Sequence, residues 1–190
     1  MSGFRAGLKG ACGHSVVKPD MVTFGKVIGG GMPVGAFAAK GAIMEKLSPD
    51  GPVYQAGTLS GNPVAMAAGL ASLEVIKSDK KLYATLEKRA NTLTKGLEKA
   101  AKKAGIPFVT EVRGSMFGFF FSQTPVNNFD EAAACDTALF GKFHQEMLNE
   151  GVYLACSAFE AGFISSATTD KMIETTIKAA ERVFKKLGNG

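Results

Sequence analysis

Fourteen of the 23 glycines fall within residues 1–69, and nine are spread over residues 70–190. Glycine admits backbone angles closed to other residues, but it loses the most conformational freedom on ordering, so a glycine-dense stretch does not build long regular elements. The first third therefore reads as a loop-laden region that carries a site, joined to a more regular packing unit. Its densest point is Thr23-Phe24-Gly25-Lys26-Val27-Ile28-Gly29-Gly30-Gly31, a lysine set between a short apolar run and three glycines.

The remaining pattern is that of an α/β chain. Met21–Phe24, bounded by Pro19-Asp20 and Gly25, predicts a buried strand, and Val34–Ala39 a second one. Asn62-Pro63 predicts a helix start with Asn62 as N-cap, running on through Met66, Leu70, Leu73 and Ile76. A second helix carries Leu82, Leu86, Ala90, Leu93 and Leu97 and stops at Gly105-Ile106-Pro107. Strands are expected at Phe108–Val112, Met116–Phe121 and Val152–Ala155, with a turn at Arg113-Gly114. Two further helices carry Phe140, Phe143 and Met147, and then Ile173, Ile177, Ala180, Phe184 and Leu187, the last capped by Thr169 or Asp170. Residues 108–187 form a compact α+β unit in this reading. Two short strands before residue 62 cannot bury themselves, so the beginning of the chain reads as the end of a larger domain.

Composition narrows the function classes. Of the 190 residues 46% are hydrophobic and 21% charged, the balance of a soluble globular protein, and no apolar run is long enough to span a membrane. The net charge of +5 is concentrated in residues 77–103, where nine lysines and arginines face Asp79, Glu87 and Glu98. The only aromatic there is Tyr83 and the lysines alternate with a leucine row, so a solvated helix face is favoured over a nucleic-acid stripe. Cys12, Cys135 and Cys156 are odd in number and far apart, which gives no disulfide framework and suits a reducing cytoplasm. Met1-Ser2-Gly3-Phe4-Arg5 lacks the apolar run of a secretory signal, so export is not expected. His14 and His144 lack the further ligands that a metal site needs.

Lys26 is the candidate for chemistry. Held at the end of a buried strand, its ammonium is expected in partly apolar surroundings that disfavour its charge and lower its pKa, leaving an amine able to form a Schiff base with a carbonyl. A surface lysine beside a flexible loop is the alternative. A phosphate loop is excluded, because GxxxxGK[ST] places Gly at 20 and Ser or Thr at 27, where Asp20 and Val27 stand.

The order of blocks in this chain resembles the class III pyridoxal-phosphate aminotransferases of fold type I. The resemblance is carried by Met1-Ser2-Gly3-Phe4-Arg5, by Pro19-Asp20 leading to Thr23-Phe24-Gly25-Lys26, and by Ile28–Ala36. Tyr54-Gln55-Ala56-Gly57-Thr58-Leu59-Ser60-Gly61-Asn62-Pro63 and Ser157–Phe163 point within that class to the aminomutase branch, which isomerises glutamate-1-semialdehyde to 5-aminolevulinate in tetrapyrrole (porphyrin) synthesis.

The resemblance implies a role for each matching residue. Lys26 binds pyridoxal 5'-phosphate covalently and moves protons at the substrate carbon, the pyridoxamine 5'-phosphate form taking part in the cycle. Thr58, with Gly57 beside it, serves the cofactor phosphate of a neighbouring subunit in a homodimer; a turn residue before the helix cap is the alternative. Glu160 and Tyr54 match substrate-pocket positions, against a loop carboxylate in water and a packed core tyrosine. Residues 1–76 correspond to the C-terminal portion of the large mixed-sheet cofactor domain. Residues 77–190 correspond to an interdomain helix and the small α+β domain.

In the family, an aspartate on the pyridine nitrogen and the phosphate turn lie upstream of the residues matching Met1–Arg5. The expectation is thus an incomplete portion, inactive alone, acting on a small molecule and touching neither nucleic acid nor membrane. A related aminotransferase of an ω-amino acid, needing an arginine for a second keto acid, and a non-catalytic dimerisation module are the alternatives.

Overall fold

The computed structural model describes residues 3–189; Met1 and Ser2, which open the first matching block, and Gly190 lie outside the described residues. The chain divides into two compact units, Met1–Tyr83 and Ala84–Gly190.

In the first unit, β1 (Met21–Gly25) and β2 (Gly35–Ala39) pair antiparallel with Gly25 opposite Gly35. The expected buried strand is only half-buried: Met21 and Thr23 are exposed, Val22 and Phe24 are partly covered, and Gly25 alone is buried. A two-stranded ribbon has no second layer to cover both faces, which accounts for the difference. A short helix α1 (Gly41–Met44) follows.

Helix α2 (Pro63–Ser78) starts as the sequence predicts, with Asn62 Oδ1 accepting from the Val64 and Ala65 N–H groups at 3.1 Å each and Pro63 in the first turn. The row of larger apolar residues it runs through is not the face it buries. Ala65 and Gly69 are buried, while Met66, Leu70 and Leu73 are exposed. The helix is apolar around most of its circumference, so periodicity could not choose a face. Backbone proximity did, because the small residues lie against the turn that follows β1. Phe4 packs edge-on against Phe24 and Tyr83, and the Tyr83 hydroxyl donates to the Phe4 carbonyl at 2.9 Å. Burial pushes the Tyr83 phenol pKa up.

The second unit is built on α3 (Leu82–Lys103), most of which lies within it. Leu86, Ala90, Leu93, Leu97, Ala100 and Ala101 are buried at helical spacing, whereas Lys88, Lys95, Lys99, Lys102 and Lys103 are exposed. The helix ends at Gly105 (φ 69°), where the Ile106 N–H donates to the Ala101 carbonyl at 3.0 Å.

Strands β3 (Val109–Arg113), β4 (Met116–Phe120) and β5 (Gly162–Phe163) form an antiparallel sheet with β4 in the centre. Val152–Ala155 is not a strand. The Val152 N–H donates to the Met147 carbonyl in closing a helix, and the Leu154 carbonyl accepts from His144 Nε2 at 3.2 Å, so these backbone groups are spent away from the sheet.

Helices α4 (Phe129–Ala133), α5 (Thr137–Asn149) and α6 (Asp170–Gly188) complete the unit, α6 capped by Thr169. Its core is a phenylalanine cluster: Phe108, Phe119, Phe121, Phe143 and Phe184 have ring centroids 4.8–6.3 Å apart across their contacts. No helix among the described residues is long and apolar enough to cross a membrane.

Candidate functional site

Lys26 opens a tight turn. Gly25 before it is fully extended, at φ −173°, and Lys26 then reverses to φ 54°, beginning a single 3₁₀ turn over Lys26–Gly29. The Gly30 N–H returns to the Val27 carbonyl at 3.2 Å, and the Met32 N–H to the Gly29 carbonyl at 3.0 Å. Gly30 (φ 59°) and Gly31 (φ 95°) keep the chain in left-handed space.

Among the described residues Lys26 is the one non-glycine with positive φ. An L-residue there costs about 1–2 kcal/mol. Such a conformation persists only where neighbouring structure imposes it, and it clusters at functional positions.

The side chain of Lys26 is exposed, in contrast to the partly apolar surroundings expected for it. Its chain neighbours explain the difference: Gly25, Gly29, Gly30 and Gly31 have no side chains to cover an ammonium, and the two-stranded ribbon adds none.

The predicted phosphate segment is a turn leading into α2. The Ser60 N–H donates to the Gly57 carbonyl at 2.9 Å and the Asn62 N–H to the Leu59 carbonyl at 3.1 Å. Gly57 leaves room for the Ser60 hydroxyl, since a Cβ there would lie 2.9 Å from Ser60 Oγ. The turn borders an open groove of about 550 Å³, lined among others by Gln55, Gly57, Ser60, Gly61 and Phe37. Lys26, Thr58 and Tyr54 are not part of its lining.

Thr58 is exposed and its hydroxyl makes no hydrogen bond among the described residues. Tyr54 is 81% exposed and is therefore no core residue. Gln55 and Ser60, polar groups of the groove, were not singled out by sequence. Their only signal was membership of the Tyr54–Pro63 block.

Glu160 belongs to the second unit. It is an exposed loop residue whose N–H donates to the Ser157 carbonyl at 3.2 Å. With Phe117, Phe119, Phe140 and Leu154 it borders a cavity of about 20 Å³, room for roughly one water. An exposed carboxylate needs no buried partner, so the apolar run around it imposes no penalty.

His14 Nε2 donates to the Ala6 carbonyl at 3.2 Å, as His144 Nε2 does to that of Leu154, so backbone occupies one ring nitrogen of each. Among the described residues no group of three or more His, Cys, Asp or Glu is placed to hold a metal ion.

Comparisons with known proteins agree with one another. The family described as "Aminotransferase class-III" matches residues 1–180. A curated relative, the glutamate-1-semialdehyde 2,1-aminomutase of Campylobacter fetus subsp. fetus (strain 82-40), is 54% identical over 187 residues, 98% of this chain and 44% of the relative. The chain thus spans less than half the length of the relative it matches.

Among solved structures, an omega-transaminase from Sphaerobacter thermophilus superposes with a TM-score of 0.84 at 26% identity, covering 99% of this chain and 43% of that one. A glutamate-1-semialdehyde aminomutase from Pseudomonas aeruginosa PAO1, solved with PMP, gives a TM-score of 0.83 at 21% identity, over 97% and 43%.

Proposed function

The chain belongs to the class III aminotransferases, and from that premise we propose that it serves the pyridoxal-phosphate-dependent isomerisation of (S)-glutamate-1-semialdehyde to 5-aminolevulinate, in the cytoplasm and within a homodimer. The observation that carries the choice of reaction is the 54% identity over 187 residues to a curated aminomutase.

The residues present suit the cofactor. Lys26 offers an exposed primary amine to an aldehyde at a turn built from glycines. Thr58 offers a hydroxyl without an internal partner, and Gly57 lets the backbone close tightly beside it, a donor set of the kind that holds phosphate. When bound, the cofactor supplies an electron sink and a carrier for the amino group.

The chain's own part is positional and acid–base. Lys26 Nζ takes a proton from the substrate carbon and returns it at the neighbouring one, a task for an amine held at a fixed backbone angle. Thr58 anchors the phosphate presented by the partner subunit. Glu160 and Tyr54 contact the substrate, Glu160 by accepting from its amino group.

The test is 5-aminolevulinate formation from glutamate-1-semialdehyde by the protein as the cell makes it, loaded with pyridoxamine phosphate, beside the Lys26→Ala variant. Turnover lost in the variant supports the proposal. Transfer of the amino group of an ω-amino acid to a keto acid, without isomerisation, would replace it with the aminotransferase reading that the omega-transaminase likeness favours.

A further inference from the structure

We infer that Gly69 on α2 is a positioning residue for Lys26: its missing side chain lets the helix backbone seat against the turn that Lys26 opens, and that seating holds the lysine at its left-handed angle. The inference rests on the reading of Lys26 as the cofactor amine.

A Cβ on Gly69 would lie 2.7 Å from the Ile28 carbonyl oxygen and 3.6 Å from Gly29 Cα. On the other side of the same contact, a Cβ on Gly30 would lie 2.5 Å from the Ala68 carbonyl oxygen. Both obstacles are backbone, which cannot swing aside as a long side chain would. Ala68 lies inside a hydrogen-bonded helix and Ile28 inside a 3₁₀ turn. Gly29 is buried too, and a Cβ there would meet Val34 Cγ1 at 2.5 Å.

Lys26 is thereby fixed from two directions. Upstream, Gly25 is locked in the ladder opposite Gly35, and downstream Ile28–Gly30 is held against α2. A residue at φ 54° relaxes unless both ends of its turn are held. Glycine is a poor helix former compared with alanine, so its presence inside α2 is not explained by the helix itself. The contact explains it.

The experiment is competitive labelling of the protein as the cell makes it with pyridoxal phosphate and borohydride, read lysine by lysine by mass spectrometry. Each amine condenses with the aldehyde, one water leaves, and hydride from borohydride fixes a secondary amine. Lys46, an exposed lysine of the same unit, is the internal reference.

Wild type is expected to label preferentially at Lys26. Gly69→Ala should lower the Lys26-to-Lys46 ratio by about tenfold, as a displaced reacting group does, and shift the pH at which the bound chromophore's absorbance changes. Gly96→Ala is the control, because its methyl would meet the Ile177 side chain at 2.4 Å in the other unit. It perturbs packing without touching the turn and should leave both readouts unchanged.

Equal ratios and equal titrations in wild type and Gly69→Ala overturn the positioning role while leaving Lys26 as the cofactor amine. A wild type with no preference for Lys26 overturns the premise instead. Should Gly69→Ala not fold, amide exchange in wild type decides: the Gly30 and Met32 amides must exchange no faster than those of Gly69–Ser72. A turn that opens while α2 stays protected overturns the inference.

Discussion

The rings of Phe143 and Phe184 stack with centroids 4.8 Å apart and planes 29° from parallel, and both side chains are completely buried. One stands on α5 and the other on α6, so this pair joins the two helices at the centre of the second unit. Phe143→Ala should destabilise that unit by about 3–5 kcal/mol, the range for removing a buried aromatic ring. Urea unfolding followed by far-ultraviolet circular dichroism measures it, and a loss below about 1 kcal/mol would refute the packing described.

The same helices are tied at the surface by charge. Arg182 Nε and Nη2 both donate to Glu150 Oε2, at 3.0 and 2.6 Å, and Lys186 Nζ lies 2.7 Å from Glu146 Oε2. The hydrogen bond from Arg182 holds the Glu150 carboxyl below the usual 4.5, and that from Lys186 does the same for Glu146. Carboxyls depressed in the folded state contribute stability that is present above pH 4.5 and lost as pH falls through their lower folded values. Urea midpoints measured from pH 6 downward should therefore fall below about pH 4.5. Glu150→Gln should flatten that fall. An identical slope in wild type and variant would remove Glu150 from the account.

Position 26 tests the backbone directly. Lys26→Gly and Lys26→Ala both delete the amine, yet only glycine accepts φ 54° without a Cβ penalty. The glycine variant should be more stable than the alanine variant by about 1 kcal/mol. Differential urea unfolding is the measurement. An alanine variant of equal or greater stability would show that the turn does not impose this angle in solution.

Asn62→Ala removes the acceptor for two N–H groups at the start of α2. The expected loss is about 1 kcal/mol, with faster exchange of the Val64 and Ala65 amides. Unchanged exchange there would count against the cap.

Thr58→Val keeps the shape of the side chain and deletes its hydroxyl. Under the proposed role it weakens pyridoxal phosphate binding by about 1.5–3 kcal/mol, the worth of a hydrogen bond to a charged group. Equilibrium dialysis against the cofactor reads this out, and equal affinity would leave Thr58 as a turn residue.

The parts of this fold legible in sequence were those governed by local rules. Asn62-Pro63 marks a helix start because cap and missing N–H act within one turn. The leucine row of α3 marks its buried face because lysines occupy the opposite one. In α2 that contrast is absent, so the row Met66, Leu70 and Leu73 marks no buried face; burial falls on Ala65 and Gly69, where Gly69 lets the backbones approach.

The residue type of Lys26 and the glycines after it are what make it the candidate amine in the sequence. Its left-handed angle is not legible there, because no side-chain pattern encodes a dihedral imposed by the ladder at Gly25 and the helix beyond. Val152–Ala155 misled for a related reason. Its β-branched and apolar run suits a strand, but its polar backbone groups were claimed by α5 and His144.

A library randomised at position 26 would give opposite winners under two screens. Selected for heat resistance alone, it would converge on glycine, with asparagine next, since those residues tolerate the left-handed region that Lys26 occupies. Selected for capture of an aldehyde, it would return only lysine, whose primary amine alone among the side chains forms a stable imine. Improving this protein by consensus or thermal selection would therefore remove, at one dihedral angle, the amine on which the proposed chemistry rests, unless the second screen were run beside the first.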